Sequence, residues 1–139
     1  NPYGCKFSIQ YCVAGMLKYG DMGVDRFLSE VIGDAEVRSL MAKTKVVRDV
    51  AIEAVHAADA AKLASKLIVR CKDGRVLELQ VDFPKGDPPN PMSWDESVAK
   101  FMSLATPVYG EVKAAKLCGL IDNLETSADF AADLAECLA

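Results

Sequence analysis

The sequence predicts an α+β fold: a small antiparallel sheet with helices packed on one face, flanked by N- and C-terminal helices. Three observations predict it. Apolar residues recur at helical spacing from Lys6 to Lys43 and again from Ser93 to Leu138. Between them lie two apolar runs joined by Lys72-Asp73-Gly74, a hairpin signal because glycine adopts positive φ without steric cost. The order helices, strands, helices lacks the repeated β-α-β alternation of a doubly wound parallel sheet and argues against one.

At 139 residues the chain has the length of one domain and can bury a real core. Its 16 Lys+Arg against 20 Asp+Glu leave a net charge of −4, and neither end is strongly basic. Nucleic-acid and membrane-surface partners are therefore disfavoured, since both need clustered cations. A composition 51% hydrophobic and 26% charged is that of a folded globular protein, not a disordered tail. No run reaches the length of a membrane span. The start Asn1-Pro2-Tyr3, without an initiator Met or a leader pattern, reads as a processed or truncated piece. The five scattered cysteines (Cys5, Cys12, Cys71, Cys118, Cys137) show no C-x₂-C spacing and read as reduced thiols of a cytoplasmic protein.

In chain order, Phe7, Tyr11, Ala14 and Leu17, with Ile9, Val13 and Met16 beside them, predict a largely buried helix over Lys6–Tyr19. Gly20 is its stop and Asp21-Met22-Gly23 the turn. Val24–Ile32 reads as a second helix, and Asp34 caps a third over Ala35–Lys43 with Val37, Leu40 and Met41 on one face. The β-branched run Thr44–Val50 reads as a strand. Seven alanines among the sixteen residues Ala51–Lys66 favour helix. Ser65–Cys71 and Arg75–Phe83 form the hairpin, with Val76, Leu79 and Val81 turned to a core. Pro84–Met92, with four of the six prolines, is a loop. Ser93 and Glu96 form a capping box, and the helix they start stops before Pro107. Tyr109–Leu124 is helical, and Ser127 caps a last helix with Phe130, Leu134 and Leu138.

The chemistry-bearing residues are few. The single histidine, His56, excludes any site built on a His pair and reads as a solvated or partly packed side chain. Lys85-Gly86-Asp87 lacks the phosphate-loop pattern and reads as a proline-rich connection. Asp95/Glu96 and Asp133/Glu136 belong to helix first turns or wet faces. Lys6, Ser8 and Tyr11 lie within a turn and a half of helix, where a tyrosine is more often core than catalyst.

The stretch Lys6-Phe7-Ser8-Ile9-Gln10-Tyr11-Cys12-Val13-Ala14 resembles the KFS-x-x-Y-x-x-A segment of the MmgE/PrpD superfamily. That superfamily includes 2-methylcitrate dehydratase, cis-aconitate decarboxylase and iminodisuccinate epimerase. The similarity continues through Gly20, Phe27, Asp34–Met41 and Lys72–Arg75. It is strongest over Gly86–Glu96 (GDPPNPMSWDE) with Lys100-Phe101, similar to the family's G-x-P-x-N-P-M-S-W-x-E…KF.

The resemblance implies that residues 1–105 form an N-terminally incomplete, lid-like α+β domain. Residues 106–139 would be C-terminal helices that pack, in the family, on a separate helical domain. It implies elimination, decarboxylation or epimerisation of a small di- or tricarboxylic acid without a metal or other cofactor, in a homo-oligomer. The chain starts after the family's P-S-C-x-x-x-H stretch and so lacks the main catalytic residues, which makes it inactive alone. Tyr11, with Lys6 and Ser8, matches the part of this domain nearest the substrate, where a Lys or Tyr could meet a carboxylate. The Ala51–Lys66 segment departs from the family, which has an irregular connection there. The alternative expectation is a non-catalytic binding or oligomerisation module of the same origin, associating through Lys6–Tyr19.

Overall fold

A computed structural model describes residues 1–138. The chain divides into two compact units, Asn1–Ala54 and Val55–Ala139. The class is α+β, with seven α-helices and a two-stranded antiparallel sheet among the described residues.

In the first unit the expected single N-terminal helix is two. Helix α1 (Pro2–Lys6) ends at Phe7, and α2 (Ile9–Tyr19) starts afresh from Ser8. Ser8 takes an extended backbone and its Oγ accepts from the Tyr11 amide at 3.2 Å, the serine N-cap habit. Nor is the helix largely buried. Only Tyr11, Ala14 and Gly15 are, while Phe7 is 73% and Ile9 58% exposed. The apolar face is wider than the neighbour that covers it.

Gly20 closes α2 in the left-handed conformation, φ 77°, its amide donating to Met16 O. The helix expected over Val24–Ile32 is only a 3₁₀ turn, Val24–Phe27, followed by tight turns. Those turns let Phe27 and Ile32 both pack against the core, which a continuous helix would not do from these positions. Helix α3 (Ala35–Lys43) starts where predicted, with Asp34 Oδ1 accepting from the amides of Glu36 (2.8 Å) and Val37 (3.2 Å). It packs along α2, and Tyr11, Ala14 and Val37 form the buried centre. Cys5, Tyr19, Met22, Leu40 and Met41 close around them.

The strand expected over Thr44–Val50 does not form: residues 44–49 are irregular, and Val46, Val47 and Val50 lie exposed. β-Branching favours a pleated surface, but a strand exists only through hydrogen bonds to a partner. Helix α4 (Val50–Ala58) takes part of the alanine-rich segment, started by Asp49, whose Oδ1 accepts from Ala51 and Ile52. The rest, from Asp59 to Ala64, is irregular. Both expectations for that segment hold in part.

In the second unit β1 (Ser65–Arg70) pairs antiparallel with β2 (Val76–Val81), Arg70 opposite Val76 and Ser65 opposite Val81. Gly74 has φ 87°, and its amide donates to Cys71 O across a three-residue loop. Val76 and Leu79, expected to face a core, are exposed, as is every strand residue except the half-buried Val69 and Val81.

The Pro84–Met92 loop leads into α5 (Trp94–Tyr109), where the capping box forms in full: Glu96 N to Ser93 Oγ, and Ser93 N to Glu96 Oε2. The helix passes through Pro107 instead of stopping before it. Proline lacks one amide, and Gly110 at φ 78° ends the helix within a turn, so the loss is small there. Helices α6 (Glu111–Asp122) and α7 (Phe130–Leu138) follow, and Ala105, Ala114, Leu117 and Cys137 are the buried residues of this unit. Asp129 starts α7, its Oδ1 accepting from Ala132, while Ser127 donates to Asp133 rather than capping. The five cysteines are free thiols. Among the described residues no helix is long and apolar enough to cross a membrane.

Candidate functional site

The junction between α1 and α2 places the three sequence-selected residues in succession. Lys6 sits in the last turn of α1, exposed and without an ion pair among the described residues. Ser8 spends its hydroxyl as acceptor on the cap of α2. Tyr11 is 1% exposed, its ring 5.8 Å from that of Phe27 and its hydroxyl donating to Arg26 O. The fold thus joins Ser8 to Tyr11 through the cap, whereas among the described residues no hydrogen bond or ion pair ties the Lys6 side chain to either.

Burial above all, then the nearby Cys5, Tyr19, Cys12 and Asp34, pushes the Tyr11 hydroxyl above its ordinary pKa. It stays protonated at neutral pH and is not poised as a base. Burial, with Cys5 next to it, likewise pushes up the Cys12 thiol, whose Sγ lies 3.8 Å from Cys5 O. The Cys12 thiol is not an activated nucleophile.

Beside Tyr11 lies a cleft of about 280 Å³ lined by Asn1, Cys5, Tyr11, Ile32, Arg38 and Met41. It opens between the start of α1, the turn before α3, and α3 itself. Ile32 and Met41 are half-buried apolar walls, and Arg38 lies on the exposed side.

Sequence reasoning missed a polar hub that joins α2 to the start of α3. Asp34, expected only as a cap, also accepts from Lys18 Nζ at 2.6 Å and from Tyr19 OH at 3.0 Å. Lys18 reaches Glu36 as well, at 2.8 Å. The Lys18 ammonium, followed by the Val37 amide, holds the Asp34 carboxyl well below the usual carboxylate range. Asp34 and then Glu36 hold the Lys18 ammonium well above its ordinary pKa. Arg26 stacks 4.6 Å over the Tyr19 ring and pairs with Asp21 at 2.9 Å. Asp34 and Lys18 are 16 residues apart, so no local pattern announces the pair.

The remaining candidates serve local structure. His56 places Nδ1 2.9 Å from Lys62 O and is exposed. Lys85 pairs with Glu96 at 2.9 Å, so the Lys85-Gly86-Asp87 turn is fastened to the start of α5. No group of three or more His, Cys, Asp or Glu is arranged to hold a metal ion among the described residues. The first unit therefore offers a half-apolar cleft with one cation and a neutral tyrosine, a place to hold an anionic small molecule.

The MmgE/PrpD C-terminal domain family matches residues 1–126. A cis-aconitate decarboxylase-like protein of Aspergillus oryzae is 29% identical over 136 residues, covering 95% of this chain and 26% of its own length. The chain thus spans about a quarter of that relative. No solved structure matches it significantly.

Proposed function

The chain belongs to the MmgE/PrpD family, as its C-terminal domain, and on that premise we propose that it is the lid-side part of a lyase or epimerase. Its substrate is a small di- or tricarboxylic acid, and the reaction is dehydration, decarboxylation or epimerisation. The observation that carries this reading is the family match over residues 1–126. The cis-aconitate decarboxylase-like relative supports the substrate class. In this reading Tyr11, Lys6 and Ser8 flank the substrate, and the chain by itself is inactive, because the family's P-S-C-x-x-x-H stretch is not among its residues. Tyr11, its proton committed to Arg26 O, shapes the wall, and Lys6 is the cation free to approach a carboxylate.

The test is turnover. The product of the native gene is expected to consume 2-methylcitrate, cis-aconitate or iminodisuccinate, followed by chromatography, and the purified 139-residue chain to consume none. A native product inert toward all three overturns the lyase reading. Turnover by the 139-residue chain overturns its inactivity.

One observation favours a second reading, a non-catalytic binding or homo-oligomerisation module. Ile9, Met16 and Leu17 of α2 are 58%, 53% and 51% exposed, an uncovered apolar surface. Turnover by the native gene product separates the two, since both readings expect a homo-oligomer; a strict monomer that binds no small acid speaks against both.

A further inference from the structure

Arg38 is the one arginine of the first unit without an ion pair among the described residues. Three of the other four arginines are paired: Arg26 with Asp21 and Asp25, Arg48 with Glu53, Arg75 with Asp73. The default partner of Arg38 is Asp34, one helical turn earlier, since acidic and basic residues four apart face each other on a helix. That partner is taken. The Asp34 carboxylate is turned to Lys18, Tyr19 and the amides of Glu36 and Val37. Arg38 is left with no carboxylate or carbonyl partner among the described residues, at the edge of the Tyr11 cleft.

We propose that this cleft binds a small polycarboxylic acid and that the Arg38 guanidinium holds one of its carboxylates. A guanidinium fork matches a carboxylate with two parallel hydrogen bonds, a geometry an ammonium does not reproduce. No carboxylate lines the cleft to repel the ligand, and Tyr11 remains neutral beneath it. Ile32 and Met41 offer apolar walls to a carbon skeleton. A volume of about 280 Å³ is near the lower end of small-molecule sites and suits an acid of a few carbons rather than a nucleotide. The assignment rests on the lyase reading for its substrate class and adds to it the residue that anchors the acid.

The experiment titrates the 139-residue chain with tricarballylate, a tricarboxylate with no reactive double bond or hydroxyl, by calorimetry and by amide NMR. The uncharged triamide of the same acid is the control. Expected are binding of the acid and not the triamide, with shifts centred on Tyr11, Ile32 and Arg38. Arg38→Gln is expected to weaken binding about tenfold or more, and Arg38→Lys to recover part of it. Melting temperatures of both variants stay near the wild-type value, because the Arg38 side chain makes no hydrogen bond or ion pair among the described residues. Equal affinity of wild type and Arg38→Gln overturns the assignment. So does the absence of tricarballylate binding, or shifts confined to the second unit. None of these bears on the lyase reading, which turnover by the native gene product decides separately.

Discussion

Replacing Tyr11 with phenylalanine removes one oxygen and leaves the buried ring in place. The ring keeps its contacts with Phe27 and the Ala14–Val37 centre. What disappears is the hydrogen bond to Arg26 O, the tie between α2 and the 3₁₀ turn fifteen residues on. A net intramolecular hydrogen bond is worth about 1 kcal/mol, and the abandoned, partly buried carbonyl adds to the loss, so about 1–2 kcal/mol is expected. That is roughly a 5–30-fold change in the folded-to-unfolded ratio. Native-state hydrogen exchange reads it directly: the amides of Ala14 and Val37, at the core centre, should exchange faster by that factor. Tyr11→Ala, which also empties the ring's place, should cost about 3–5 kcal/mol, more than a unit this small is expected to spare. Unchanged exchange at Ala14 and Val37 in Tyr11→Phe would refute the reasoning, because the hydroxyl would then hold nothing together.

Gly15→Ala sets two effects against each other: alanine gains about 1 kcal/mol of helix propensity over glycine, but overpacking costs about 1–3 kcal/mol. The new Cβ would overlap Met22 Sδ and lie 3.1 Å from Met22 Cε, the far end of a flexible side chain that can shift, so the two effects should largely cancel and the melting temperature should stay near wild type; loss of the cooperative transition would contradict it. The Asp34 pKa is depressed, so its stabilisation is present above the ordinary carboxylate value near 3.9 and is lost as pH falls below it. The Lys18 pKa is raised, so its share is complete below about 10.4 and fades as pH rises beyond that. The contribution of this pair should therefore be flat between these limits, and Asp34→Asn should flatten the acid limb, with Asp21, Asp73 and Glu96, whose carboxyls are also held down, supplying what remains. An acid limb identical to wild type in chemical denaturation would count against the Lys18–Asp34 pair.

What the sequence determined by itself is what depends on neighbours within a turn. The Asp34 cap, the Ser93–Glu96 box, the Gly20 stop and the Gly74 hairpin loop stand where the residues predict them. Each is closed by hydrogen bonds spanning at most four residues, so the partners are adjacent in the sequence itself. The order of the family-like segments was legible for the same reason, and with it the family and the α+β class. Only the tertiary structure decided what depends on residues distant in the chain. Thr44–Val50 has the composition of a strand and no partner to make it one. Tyr11 is buried while Phe7, on the same apolar run, is not, because Phe7 ends α1, whereas Tyr11 lies in α2, along which α3 packs. Asp34 turned to Lys18 and left Arg38 unpaired for want of any rule linking positions 16 apart. Burial and charge pairing are properties of which surfaces meet, and that is settled only when α2 and α3 lie against each other.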